Sequence, residues 1–185
     1  MFSTRTFWQT AVRLGLVLSI SLFVASCISP PEYSDTPSIE FKAINSRRVV
    51  DGSGTRDVVT ITVAFQDGTG DLGLDSLDIK AAPFLPFNAD GSANRYFNNY
   101  FVKIFRKDAT GVFRSLNLEP QYNSRFDHLA PSDKAAPIKG DLRFTLILLY
   151  GLTFRKGDEI RFEIAIADRG LRESNTITTD SIIIP

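Results

Sequence analysis

Between residues 57 and 65 the chain places Val59, Ile61, Val63 and Phe65 at every second position, with Thr60, Thr62 and Ala64 between them. Extended backbone sends alternate side chains to opposite faces, so this run reads as a strand with one buried face and one wet face. Residues 159–168 repeat the pattern, with Ile160, Phe162, Ile164 and Ile166 pointing inward and Arg161 and Glu163 outward. Segments 38–44, 100–107, 112–118, 141–149 and 177–184 are less regular, and each is bounded by Gly, Pro, Asn or Asp. No stretch carries a helical stripe. About seven short strands separated by turn signals predict an all-β domain. The expected form is an antiparallel β-sandwich, immunoglobulin-like or fibronectin-like, with a closed barrel as the alternative.

The N-terminus is built differently. Arg5 and Arg13 precede and enter an apolar run, residues 14–25, which ends in Val24-Ala25-Ser26-Cys27. The run is too short for the ~20 residues of a spanning helix and has the layout of a secretory signal. It resembles bacterial lipoprotein signals, which end in an aliphatic residue, two small residues and a Cys that is lipidated and becomes the mature N-terminus. The resemblance implies a signal over 1–26 and a lipid on Cys27. Acyl chains contribute ~0.8 kcal/mol per buried CH2, so two or three of them hold a protein on a bilayer without a second anchor. Residues 28–37, ISPPEYSDTP, have tether composition, so 27–37 is expected to be a flexible spacer and 38–185 the sandwich domain. Ile28 and Ser29 follow the Cys, with no Asp at the next position, which points to the outer membrane, facing the periplasm or the exterior.

Composition removes several classes of function. Without residues 1–26 the chain has 19 basic groups against 21 acidic ones and no basic run, which argues against a nucleic-acid partner. Cys27 is the only cysteine, so once it is lipidated no disulfide, thiol nucleophile or thiolate metal site is left. His128 is the only histidine, and no GxSxG elbow marks a serine nucleophile. The reading is therefore a non-catalytic module, with a cell-surface glycan or peptide hydrolase and an accessory subunit of an envelope complex as alternatives.

Two segments carry candidate sites. FQDGTGDLGLD, residues 65–75, follows the best strand and brings Asp67, Asp71, Asp75 and Asp78 within twelve residues. Carboxylates on a glycine-rich turn suit a hard cation such as Ca2+. The match to an EF-hand loop is only partial: Leu72 stands at the position that needs Gly, Asp78 is shorter than the usual Glu, and no helices flank the segment. A looser calcium turn and an ordinary strand-ending turn both stay open. In a seven-strand sandwich the loop after the sixth strand lies at the same end, which predicts that Asp168 joins the set. The second segment, residues 87–101, offers Tyr96, Phe97 and Tyr100 among asparagines, a composition suited to a glycan or peptide ligand and equally to loop packing. Residues 146–150 are apolar on both strand faces, so one face is expected to be covered by a loop or a protein partner.

The lipobox, the short tether, the IEF opening, DGTGDLGL, NNYFVKIFRK, PIKGDLRF and the closing ADRG and SNTITTD runs together resemble a family of uncharacterised Gram-negative envelope lipoproteins. That family commonly carries DGDGD where this chain has Asp67-Gly68-Thr69-Gly70-Asp71, so Thr69 stands in place of an acid. The resemblance implies an envelope location and a sandwich domain. It implies no activity.

Overall fold

The computed structural model describes residues 31–118, 121–131, 134–151 and 153–185. The signal segment and Cys27 lie outside the described residues. The strands are β1 (Ser38–Asp51), β2 (Gly54–Asp67), β3 (Tyr100–Lys107), β4 (Phe113–Leu116), β5 (Ile138–Leu149), β6 (Glu159–Ile166), β7 (Ile177–Thr178) and β8 (Ile182–Ile183). They form two antiparallel sheets, β1-β2-β5 and β4-β3-β6, with β7 and β8 both paired to β6. The protein is an all-β sandwich of the expected immunoglobulin-like or fibronectin-like kind.

Its core is the meeting of the two alternating strands. Val59, Ile61, Val63 and Phe65 of β2, with Leu142, Leu146 and Leu148 of β5, face Ile160, Phe162, Ile164 and Ile166 of β6 and Val102 and Ile104 of β3. β7 and β8 are one interrupted seventh strand. Thr179, between them, donates its backbone N–H to the Phe162 carbonyl and accepts the Phe162 N–H on its hydroxyl, so the ladder passes through the gap.

β1 and β2 are longer than the alternation predicts. They run on to a two-residue turn, Gly52-Ser53, with Asp51 paired to Gly54. Asp51 accepts the Ser53 N–H and pairs with Arg56, while Arg48 makes a bidentate pair at 2.9 Å with the fully buried Asp57. These polar residues hide the strand periodicity in the sequence, and ion pairing takes its place.

The open edge of β1 is tied to the opposite sheet by one side chain. Asn175 accepts the Ile39 N–H and donates to the Ile39 carbonyl, both at 2.9 Å. An amide that satisfies both backbone groups of one residue imitates a paired strand.

Tyr100 is a core residue, which corrects its expected role as a ligand contact. It opens β3 on the same face as Val102 and Ile104, is fully buried, and stacks on Phe144 at 4.0 Å. Its hydroxyl has no hydrogen-bond partner among the described residues, and burial pushes its pKa well up. Leaving such a group unsatisfied costs about 1–3 kcal/mol. Tyr100→Phe keeps the stack and removes the orphan, so its melting temperature should rise by about 2–4 °C for each kcal/mol regained. A clear fall in a thermal melt would show that the hydroxyl has a partner, such as a buried water.

Candidate functional site: a carboxylate cluster closed by arginine

β2 ends at Asp67, and the chain then turns under the last residues of the tether. The Gly68 N–H donates to the Ser34 carbonyl at 2.8 Å. A Cβ on Gly68 would overlap the carbonyl oxygens of Tyr33 and Ser34, so only glycine admits this approach. The tether expected over 27–37 is thus docked from Tyr33 onward, and Pro37 is buried.

The loop after β6 closes on the same turn. Leu72 bridges to Asp168, the Arg169 N–H donates to the Asp71 carbonyl at 3.1 Å, and the Gly170 N–H donates to the Asp71 carboxylate at 3.0 Å. Asp67, Asp71 and Asp168 therefore each bring a carboxylate oxygen within 4.8 Å of the others. Asp67 is 0 % exposed and Asp168 is 2 % exposed.

Arg172 lies among these acids. Its Nε donates to Asp168 at 2.6 Å, and its Nη2 donates to the Thr69 hydroxyl at 2.9 Å and to Asp71 at 3.5 Å. Its Nη1 is 3.9 Å from Asp35, in the tether. Thr69 passes the contact on, donating its hydroxyl to Asp71. Asp67 accepts the Asp71 N–H at 2.9 Å. Burial, then the neighbouring Asp71 charge, pushes Asp67 above the ordinary carboxylate range against its hydrogen bonds. Asp168 is also pushed up, chiefly by burial, which outweighs the bonds from Arg172. For Arg172 burial acts downward, but Asp168, Asp71 and Asp35 outweigh it and the net shift is upward. The guanidinium is a cation of the chain's own, set against Asp168 and Asp71, two of the three carboxylates that the calcium turn would use.

Asp75 and Asp78 do not join this cluster. The Asp75 N–H donates to the Asp78 carboxylate and the Asp78 N–H to the Asp75 carboxylate, both at 2.9 Å, a reciprocal cap on the turn around residues 75–80. His128 Nε2 lies 2.7 Å from Asp78. Backbone bonds from Asp78 and Leu77 pull the Asp75 carboxyl down. The five expected metal ligands are thus divided between two places, with His128 in the second.

The aromatic segment packs over the outer face of the larger sheet. Tyr96 meets Phe101 edge-on at 6.4 Å, above Ala165 and Ala167. Arg125 stacks on the Phe97 ring at 4.1 Å and donates to the Phe97 carbonyl. Arg95 covers Phe101 at 3.8 Å while held by Glu173. A groove of about 320 Å³ on this face is lined by Phe101, Lys103, Leu116, Tyr122, Glu163 and Glu173 among others, and Tyr96, Phe97 and the buried acids do not border it.

Arg172 and Arg125, the two residues that organise these places, are missing from the expected sites. Arg172 stands four residues after Asp168, which is a usable signal only once the loop is known to fold back on the turn. No protein-family model matches the chain, and no curated protein or solved structure matches it.

Arg172→Met should leave the buried Asp168 without its counter-charge and the half-buried Asp71 without its nearest cation. The cost should be about 2–3 kcal/mol near pH 7, below the ~3–5 kcal/mol of a fully buried pair because the guanidinium is partly exposed. In the variant the folded state holds the Asp168 proton more tightly still. Stability from that group is complete below the unfolded pKa and lost as pH rises through the folded value. The deficit against the parent should therefore shrink between about pH 7 and about pH 5 in paired thermal melts. A deficit that grows on acidification would contradict the assigned role of Arg172.

Proposed function

We propose that this protein is a lipid-anchored, non-catalytic binding module of the bacterial cell envelope, held by Cys27 and presenting the second half of β5 to a protein partner. The observation that carries the reading is the surface of that strand. Ile147 and Leu149 are 52 % and 54 % exposed on the outer face of β5. Across the sheet Ile147 adjoins Val58, and Leu149 adjoins Arg56, whose other neighbour is Val49. β5 is also the terminal strand of its sheet, with no strand on its outer edge among the described residues. Natural sheets protect such edges with charge, proline or a covering segment. Here the charged residues Lys139, Asp141 and Arg143 occupy only the first half, and residues 144–150 carry no charge at all. An apolar strand end of this kind fits a surface that a partner covers.

The hydrolase reading has less to support it. Asp67 and Asp168, the close carboxylates with raised pKa, are shut under Arg172 and Thr69, whereas catalytic acids must reach the bond they cleave. His128 is engaged with Asp78. Calcium enters this reading as the alternative, because Arg172 already gives Asp168 and Asp71 a cationic partner and lies 3.9 Å from Asp35 in the tether.

Three measurements test the proposal. The mass of the mature chain from membranes should show acylated Cys27 as the first residue, and an unmodified thiol would remove the anchor. A photo-crosslinking residue at position 147 or 149 in the intact envelope should give a discrete adduct that Leu149→Lys abolishes from position 147. Equal labelling from Thr62, on the same face but away from the apolar end, would contradict a docking surface there. Melts in millimolar calcium and in excess chelator should agree within about 1 °C, since a ligand of the folded state alone raises the midpoint. A calcium-dependent rise would restore the metal reading.

A further inference from the structure

We infer that the loop over residues 77–94 is a membrane-contacting element that rests its exposed apolar side chains, Phe87 foremost, in the interface of the bilayer that holds Cys27. The inference rests on the anchored reading above and extends it from where the protein is attached to which surface meets lipid.

The first support is reach. The chain is fixed from Tyr33 onward, where Ser34 accepts the Gly68 N–H and Asp35 faces Arg172. Only residues 28–32 lie between the lipidated Cys27 and that docking point. An extended chain spans at most ~3.3–3.6 Å per residue, so the docked end of the sandwich stays within roughly 20 Å of the membrane surface. Residues 68–99 leave β2 beside this point and return to β3 at Tyr100, which pairs with Ile166 at the same end. The loop therefore shares the end that the tether confines.

The second support is what the loop shows to solvent. Leu77 is 68 % exposed, Phe87 is 63 % exposed and Leu85 is also open, while Phe84 is buried as its inward root. Residues 81–94, AAPFLPFNADGSAN, contain one charge, Asp90. Phe87 is held out by built structure. It bridges to Ala93, Asn88 and Ser92 are bonded to each other, and Asn94 donates to the carbonyls of Pro83 and Leu85, both at 2.7 Å. A preorganised tip loses little conformational freedom on insertion. Within residues 77–94 Asp78 and Asp90 stand against the single cation Lys80, so attraction to anionic headgroups is not the driving force and apolar burial must be.

The test uses the full lipidated protein in phosphatidylcholine vesicles, with Phe87→Trp as reporter and brominated acyl chains as quencher. Trp8, the only native tryptophan, leaves with the signal. Val112→Trp, in the β3–β4 turn at the opposite end, is the control. Emission from position 87 should shift to the blue and fall about twofold or more with brominated lipid, with little dependence on salt, while position 112 stays unchanged. Leu85→Trp gives the same readout should Phe87→Trp fail to melt like the parent. Protein that floats with the vesicles but is quenched equally little at 87, 85 and 112 overturns the membrane-contacting loop and leaves the anchor intact. Protein that does not float overturns both.

Discussion

Two carboxylates, Asp67 and Asp168, are shut away from water at the end of the sandwich where the sheets come together; the Arg172 guanidinium pairs with Asp168, while Asp67 is held by the Thr69 hydroxyl and the Asp71 N–H. Asp67 ends the central strand of the smaller sheet, and Asp168 follows the central strand of the larger one. Neither could be buried as an anion without a partner, because an isolated ion in a low-dielectric interior is strongly penalised. One planar cation that reaches Asp168, Asp71 and Thr69 at once therefore fixes the loop after β6 against the turn after β2. The approach of the tether to Gly68, the bridge from Leu72 to Asp168 and the course of the following loop all depend on that closure.

The strands were legible because burial on one face leaves a period of two. β3 has the bounds that the alternation predicts, and β6 and β2 carry the buried face expected of them. What escaped was structure held by polar pairing. The hairpin end of β1 and β2, residues 45–56, falls outside the predicted strands because Arg48, Asp51 and Arg56 break the apolar rhythm, although the pairs of Arg48 with Asp57 and of Arg56 with Asp51 cross it. Tyr100 is a different kind of miss. Its parity with Val102 and Ile104 places it inward, whereas its company of asparagines and aromatics has the composition of a ligand-binding loop.

The acidic turn shows why residue type alone underdetermines a site. A sequence displays which side chains could hold a cation, but not whether the fold supplies one of its own. The meeting of Asp168 with Asp67 and Asp71 follows from sandwich topology and was foreseeable. The entry of Arg172 follows from the path of a short irregular loop, which no periodicity encodes. Likewise Asp75 and Asp78 lie within eleven residues of Asp67 in sequence, yet a reciprocal capping arrangement gives them a separate place beside His128.

The docking of Ser34 and Asp35 also has a mechanical side. β1 is an edge strand whose first residue, Ser38, lies just beyond the tether, and a pull on a strand end in an antiparallel ladder opens its hydrogen bonds one after another. Tension arriving from the N-terminus does not reach Ser38 first. It meets the bond from Gly68 to Ser34 and the pair between Arg172 and Asp35, and so is shared between both sheets. The amide of Asn175, which holds Ile39 to the opposite layer, stands directly behind them as a second stop. The point where the chain enters the domain is thus a clamp, and the weakest direction of the sandwich is shielded from load.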